Sequence, residues 1–396
     1  MAIVDRAQPA VPKPVSFIYD PRLRGLVYQV LVVGLVFGGA WYLASNALEN
    51  LARQSITTGF GFLTHRASFD ITQHLISYSA ASDYLRALEV GFLNTMLVAI
   101  LGIVLATVLG TTVGMLRLTK NWMVGRIAAA YVELARNLPL LLQLFFWYGF
   151  VTISLPGPRE ALRPLPGVIL SNRGLMLPVP QSAPIWVWVA VALLVALGLA
   201  IGFRIWARRR QDRTGRPLPS GLVAAITIVA LPTLTWLLGG APTEMDTPKL
   251  AGFAFDGGVT LSPEFVTILF GLVIYTAAFI AEVVRAGILA VNWGQSEAAL
   301  ALGLKRGQIL RLVVVPQAFR VIVPQLTSEF LNLTKNSSLA VAVGYPDLVS
   351  ITNTTINQTG QAIEGISIIM IVYLTISLLI SGFMNWFNAR VALTER

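Results

Sequence analysis

Cysteine is absent from the 396 residues, which excludes a disulfide framework, a thiolate metal site and a thiol nucleophile. Charge is scarce as well. Asp, Glu, Lys and Arg make up 12% of the residues against 55% apolar ones, and mean hydropathy is +0.71. A chain so poor in charge is an integral membrane protein. There are two histidines, His65 and His74, both in a polar stretch outside the apolar runs. No metal site is expected from them, and no Ser–His pair within a membrane span. The chain also lacks a GxxxxGK[ST] run, so it carries no P-loop.

What the chain does have is long apolar runs. A helix needs about 20 apolar residues to cross the hydrocarbon, and eight segments qualify: 25–44, 92–116, 138–155, 183–203, 221–240, 265–281, 321–343 and 365–387. The expected fold is an all-α integral membrane protein of about eight transmembrane helices. Net charge is +10, which would suit nucleic acid were it not for where the charges fall. Arg6, Lys13, Arg22 and Arg24 precede the first span. Arg117, Lys120 and Arg126 follow the second, Arg208, Arg209, Arg210, Arg213 and Arg216 follow the fourth, and Arg390 follows the eighth. With an even number of spans every basic cluster lies on one side, the cytoplasmic one, and both termini lie there too. Opposite segments are balanced or bare: Arg53, Arg66 and Arg86 face Glu49, Asp70, Asp83 and Glu89, and 344–364 has no Lys or Arg. The first run is longer than a signal-peptide core and has no clean small-x-small cleavage site, so it reads as a retained anchor.

The twenty residues 297–316, EAALALGLKRGQILRLVVVP, read as a docking loop. Ala298, Ala299 and Ala301 favour helix and let another surface approach the backbone. Gly303 and Gly307 are expected to interrupt that helix and Pro316 to end the next run, giving two short helices joined at a bend. Lys305, Arg306, Arg311 and Arg320 make the connection basic, hence cytoplasmic. The plainer reading is an ordinary amphipathic intracellular loop.

The spacing resembles the EAA motif of membrane-spanning subunits of binding-protein-dependent ABC importers, with Glu297, Ala298, Ala299, Gly303, Val313, Val315 and Pro316 in the motif positions and Val in place of the usual Ile and Leu. Three further stretches are similar to polar amino-acid permeases: YVELARNLPLLLQLFFWYGF at 131–150, AEVVRAGI at 281–288 and LTKNSSLAVAVGYPDL at 333–348. The resemblance covers 90–153 and 263–388, a five-helix permease core. Around it lie a cytoplasmic segment 1–24, an additional helix 25–46, a periplasmic segment 47–90, an insertion 154–262 and a tail 389–396. The insertion holds two extra spans and a Pro- and Gly-rich stretch, 156–184, expected to be an irregular external loop. The extra helices resemble the longer permease of general L-amino-acid systems. This resemblance implies two cytoplasmic ATPase subunits that bind ATP and Mg, a second homologous permease forming a heterodimer, a periplasmic amino-acid-binding protein, and no cofactor on this chain.

Ionisable and polar groups inside apolar spans carry the remaining information. A Lys at a helix centre costs about 2.5–3.5 kcal/mol on insertion scales, so it faces a partner or water. Lys335 is placed near the middle of the seventh span. Ser328, Asn332, Lys335 and Asn336 recur every three or four residues and share a helix face. That stripe either lines a translocation cavity or holds helices together through a Lys–acid pair. Glu133 with Arg136, and Glu282 with Arg285, are spaced to pair within helices or to cross between them as a gate. Gln143, Tyr275 and Thr276 are weaker cavity candidates. Two other classes stay open: a secondary transporter, which would need a coupling-ion site and often internal repeats, and an ABC permease for another small polar solute.

Overall fold

The computed structural model describes residues 21–53, 59–181, 183–216, 218–252 and 254–391. The expected flank residues Arg6 and Lys13, most of the segment 1–24 and the end of the tail lie outside them. Among the described residues, seven helices are long and apolar enough to cross a membrane, or eight when one bent pair counts as a single span. The first, α1 (Pro21–Arg53), is exposed along its whole apolar span.

The core is built on α2 (Tyr84–Leu116), which Asp83 caps by accepting the Arg86 N–H at 2.8 Å. Its chain direction leads to α3 (Trp122–Asn137) and α4 (Leu140–Gly149), which meet at a bend of 104°. The third span therefore departs from the expected straight run 138–155. The reason is local: Leu138 precedes Pro139, whose ring disfavours helix at the residue before it, and Leu138 is extended at φ −98°, ψ 132°. α4 closes in a five-residue π turn, Phe150–Ser154.

The insertion contains α5 (Ile185–Thr214) and α6 (Ser220–Leu238), which pack mainly on each other along Ala192, Ala196 and Ala200 of α5. Outside these helices the expected irregular loop is partly ordered as small antiparallel sheets. β1 (Leu162–Leu165), β2 (Val168–Ser171) and β3 (Gly174–Leu177) pair in sequence, while β4 (Val179–Pro180) pairs with β5 (Met245–Asp246) and β6 (Lys249–Ala251) with β7 (Ala254–Asp256). β8 (Val259–Leu261) joins the edge of β3, so both ends of the insertion are tied together before the core resumes. Gly174, at φ +106°, turns the chain between β2 and β3, and a Cβ there would lie 2.1 Å from the Leu261 carbonyl oxygen. The Gly and Pro residues that suggested a loop are the punctuation of four-residue strands.

α7 (Pro263–Leu289) runs parallel to α2 and packs against it most extensively. Its N-cap, Ser262, accepts the Phe265 N–H at 3.2 Å. The contact is close because α2 presents Gly102, Ala106, Gly110 and Gly114 at intervals of four. Gly110 and Gly114 rest on the carbonyl oxygens of Ala277 and Ala281, and Gly102 rests on Leu333. Small residues that let backbones approach are what holds helices together in lipid, where burial of apolar surface gives no advantage.

After α7 come the short α8 (Trp293–Ala301) and α9 (Arg306–Ile309), then α10 (Val315–Asn336), α11 (Leu348–Thr359) and α12 (Ala362–Val391). α10 packs on α7 and α12, and α11 packs on α2. The α10–α11 connection is pinned from α2: Asn94 Nδ2 donates to the Pro346 carbonyl at 2.9 Å and Thr95 Oγ1 accepts the Leu348 N–H at 3.0 Å. Asp347 caps α11 through the Ser350 N–H at 2.8 Å. Its burial pushes the carboxyl up to about 7, against the opposing pull of the Ser350 and Val349 N–H groups.

Candidate functional site

The segment that opens the site is α8, entered directly from α7 through Ala290–Asn292. Asn292 caps it by accepting the Gly294 N–H at 2.8 Å. One face of the helix is internal: Ala299 is buried with Ile309 and Val314 against Ile288, Val291, Leu304 and Val313. The other face is open. Trp293, Glu297, Ala298, Leu300 and Leu302 are exposed, and Trp293 Nε1 donates to Glu297 Oε1 at 2.8 Å, one turn away. An acid-bearing surface with exposed Trp293, Leu300 and Leu302 beside Ala298 thus projects from a compact apolar base.

Gly303 makes the bend. It adopts φ +79°, and the Leu304 N–H returns to the Ala299 carbonyl at 3.2 Å, closing the helix end. Gly307, expected to break the helix too, instead lies inside α9, where Gln308 Oε1 accepts the Lys305 N–H at 2.9 Å. Pro316 does not end a run either; it sits in the first turn of α10 just after a π turn, Leu310–Val314. A proline has no N–H to place, and the first turn is where none is needed.

Behind the elbow, Glu282 of α7 gathers arginines from three helices. Arg285 Nη2 donates to Glu282 Oε1 at 2.6 Å, Arg117 at the end of α2 donates to Oε2, and Arg136 Nη1 of α3 lies 4.0 Å from Oε2. The expected Glu282–Arg285 pair is formed. A Glu133–Arg136 pair is not: among the described residues no ion pair joins them, Glu133 is exposed, and the Arg136 guanidinium lies over the Phe279 ring at 5.1 Å. The crossing contact from α3 to Glu282 takes its place. Arg117 was legible only as a flanking charge, since its partner stands 165 residues away.

The polar stripe of α10 is real as a helix face, and it is open in the single chain. Ser328, Asn332 and Lys335 are exposed and Asn336 is half-buried, whereas Ile322, Val323, Leu333 and Thr334 on the other side are buried. Gln325 extends the exposed row by one turn, and Glu329, next to Ser328, is half-buried. Both keep the three- and four-residue spacing of the stripe and lie outside the set expected from sequence. Lys335 is not in the middle of a continuous helix. It occupies the last turn of α10, before a 3-10 segment, Ser337–Val343, that closes at Gly344 with φ +80°. Its chemistry is thereby at a helix C-terminus, where a cation is favoured.

The other cavity candidates sit apart from that face. Gln143 is buried at the α3–α4 bend, its Nε2 donating to the Ala135 carbonyl at 2.8 Å and the Leu138 carbonyl at 3.0 Å. Its amide nitrogen is used to satisfy a broken helix end. Thr276 is buried in the α7 packing and Tyr275 lies against Phe279 at 4.9 Å.

Comparison with known proteins places these features in a family. Residues 214–393 match the family described as binding-protein-dependent transport system inner membrane component. The chain is 48% identical to the general L-amino acid transport system permease protein AapQ of Rhizobium johnstonii over 381 residues, 96% of this chain and 95% of the relative. It is 41% identical to the glutamate/glutamine/aspartate/asparagine transport system permease protein BztB of Rhodobacter capsulatus, over 96% of each. With the glutamate/aspartate import permease protein GltJ of Escherichia coli it shares 26% identity over 86% of this chain and 97% of that one. This chain belongs to the binding-protein-dependent inner-membrane permeases of amino-acid ABC transporters.

Proposed function

We propose that the chain carries polar L-amino acids, over a broad range, across the inner membrane as one half of a heterodimeric pore. The observation that carries the reading is the continuity of the exposed Glu297 helix with α7 and the arginine cluster at Glu282. Two cytoplasmic ATPase subunits, holding ATP and Mg, dock on the exposed faces of α8 and its counterpart in a second, homologous permease. Closure of the ATPases displaces both elbows, and the displacement alters access to the cavity because the two conformations differ in docking free energy. A periplasmic amino-acid-binding protein delivers the substrate. The chain itself performs no chemistry and holds no cofactor, both termini are cytoplasmic, and no nucleic acid is a partner.

On this reading Ser328, Asn332 and Lys335 of α10 border the pathway, with Lys335 attracting the substrate carboxylate. Lys335→Met is expected to lower uptake about ten- to a hundredfold, the loss of one charge-assisted hydrogen bond, in complexes that assemble normally. Unchanged rate and affinity would remove Lys335 from the pathway. The docking arm is tested by Glu297→Arg, which should weaken co-purification of the ATPase at least about thirtyfold while membrane insertion persists. The substrate class is tested by uptake of a panel of labelled amino acids into vesicles, with and without the binding protein. Transport restricted to sugars, peptides or metals would overturn it, as would uptake driven by an ion gradient with no ATPase bound.

A further inference from the structure

The cytoplasmic end of α5 carries six arginines, Arg204, Arg208, Arg209, Arg210, Arg213 and Arg216, within thirteen residues, and one acid, Asp212. All are exposed. Five arginines elsewhere are matched by acids: Arg53 by Glu49, Arg86 by Glu89, and Arg117, Arg136 and Arg285 by Glu282. On α5 no carboxylate lies within ion-pair distance of any of the six among the described residues. The cluster is uncompensated, and it is the densest run of arginine in the chain.

Its depth is set by helix length. α5 has 30 residues, about 45 Å of helix at 1.5 Å per residue against roughly 30 Å of hydrocarbon. Measured from Ile185, about twenty residues fill the bilayer core, so the boundary falls near Phe203 and Trp206. Trp206 is exposed, as an interfacial Trp is, and the Arg210 guanidinium lies over its ring at 5.5 Å. The turns beyond it, with Arg208, Arg209 and Arg213, lie at the level of the lipid phosphates. Ala207 is buried toward α6. Arg209 and Arg213, at helical steps of 100° per residue, lie on the far side from it, toward surrounding lipid.

We propose that this end of α5 is a binding site for the headgroup of an anionic phospholipid, with Arg209 and Arg213 holding the phosphate. The occupant is a lipid, not an acidic protein, because the helix is continuously apolar and exposed just before the cluster, at Leu199, Ile201 and Ile205. A molecule with acyl chains and an anionic head covers both stretches at once; a soluble acidic surface covers only the second. Arginine suits the phosphate because its planar fork donates two parallel hydrogen bonds.

The test is retention of lipid by the full chain with its co-purifying subunits, read by native mass spectrometry after incorporation into nanodiscs of phosphatidylethanolamine with cardiolipin or phosphatidylglycerol added. Wild type should retain the anionic lipid in preference to phosphatidylethanolamine. Arg209→Gln/Arg213→Gln should bind it about thirtyfold more weakly, the equivalent of roughly 1 kcal/mol for each of two charges near the surface. Arg209→Lys/Arg213→Lys keeps the charge and the insertion signal, and should fall between the two. Equal retention of anionic and zwitterionic lipid by wild type, or equal anionic-lipid binding by wild type and the Lys variant together with the Gln variant, would overturn the site. Amino-acid uptake plays no part in this readout, so the lipid site and the transport reading stand or fall separately.

Discussion

Gly110→Leu is expected to leave almost no folded protein after detergent extraction, read as loss of the monodisperse peak in fluorescence-detected size-exclusion chromatography. A Cβ at this position would lie 2.7 Å from the Ala277 carbonyl oxygen and 2.7 Å from Ile280 Cβ. Neither atom is the far end of a flexible side chain, so the two backbones have to separate. One turn on, a Cβ at Gly114 would meet the Ala281 carbonyl at 2.7 Å, and separation at Gly110 therefore loses that contact as well. Inserting a methylene into a packed core costs about 1–3 kcal/mol, and a leucine brings four heavy atoms into the most extensive helix contact of the chain. Gly110→Ala should be milder yet still lower the melting temperature. Gly307→Ala should not, because nothing lies within 4 Å of that position and its φ is ordinary. Equal stability of Gly110→Leu and wild type would mean that α2 and α7 are not packed backbone to backbone.

How far such contacts were readable depends on whether their signal is local. The elbow at Gly303 was, since an acid, helix formers and a glycine follow one another within seven residues. The α10 stripe was too, because its polar residues keep helical spacing, and Gln325 and Glu329 belong to the same pattern. Gly102, Ala106, Gly110 and Gly114 keep an equally regular spacing; a search for small residues would have found it, whereas a search for apolar length treats them as filler. The α3–α4 bend had a local cause at Leu138–Pro139, hidden by the apolar run that follows. The external sheet was not legible, because β3 finds β8 across the whole helical hairpin, and no short-range pattern specifies a partner more than eighty residues away. The same holds for the site. Glu282–Arg285 follows from i, i+3 spacing, while the contributions of Arg117 and Arg136 exist only once α2, α3 and α7 have come together.

That convergence sets the expectation for Glu282→Ala: a lower melting temperature and, where complexes survive, ATP hydrolysis that continues while uptake is lost. The Glu282, Arg117 and Arg285 side chains are mostly enclosed, at 25%, 14% and 31% exposure. Deleting the carboxylate strands their charges together, where removal of one partner of a fully buried pair costs about 3–5 kcal/mol; partial exposure brings the figure here to the lower end or below. The effect on coupling follows from position. Glu282 stands seven residues before the end of α7, about 10 Å along the helix, and α8 begins four residues after α7 ends. If α8 is displaced as proposed, the movement reaches the Arg117 end of α2 and Arg136 of α3 through this carboxylate as well as through the packing of α7 on both helices. Glu282→Gln keeps a hydrogen-bond acceptor for Arg285 without the charge, and should retain more stability than Ala. The double variant Arg117→Met/Glu282→Met separates the two roles: with the pair replaced by apolar side chains of similar reach, stability should recover in part. Uptake should stay uncoupled from ATP hydrolysis if the ion cluster transmits the movement. Recovery of uptake together with stability would reduce Glu282 to a structural residue.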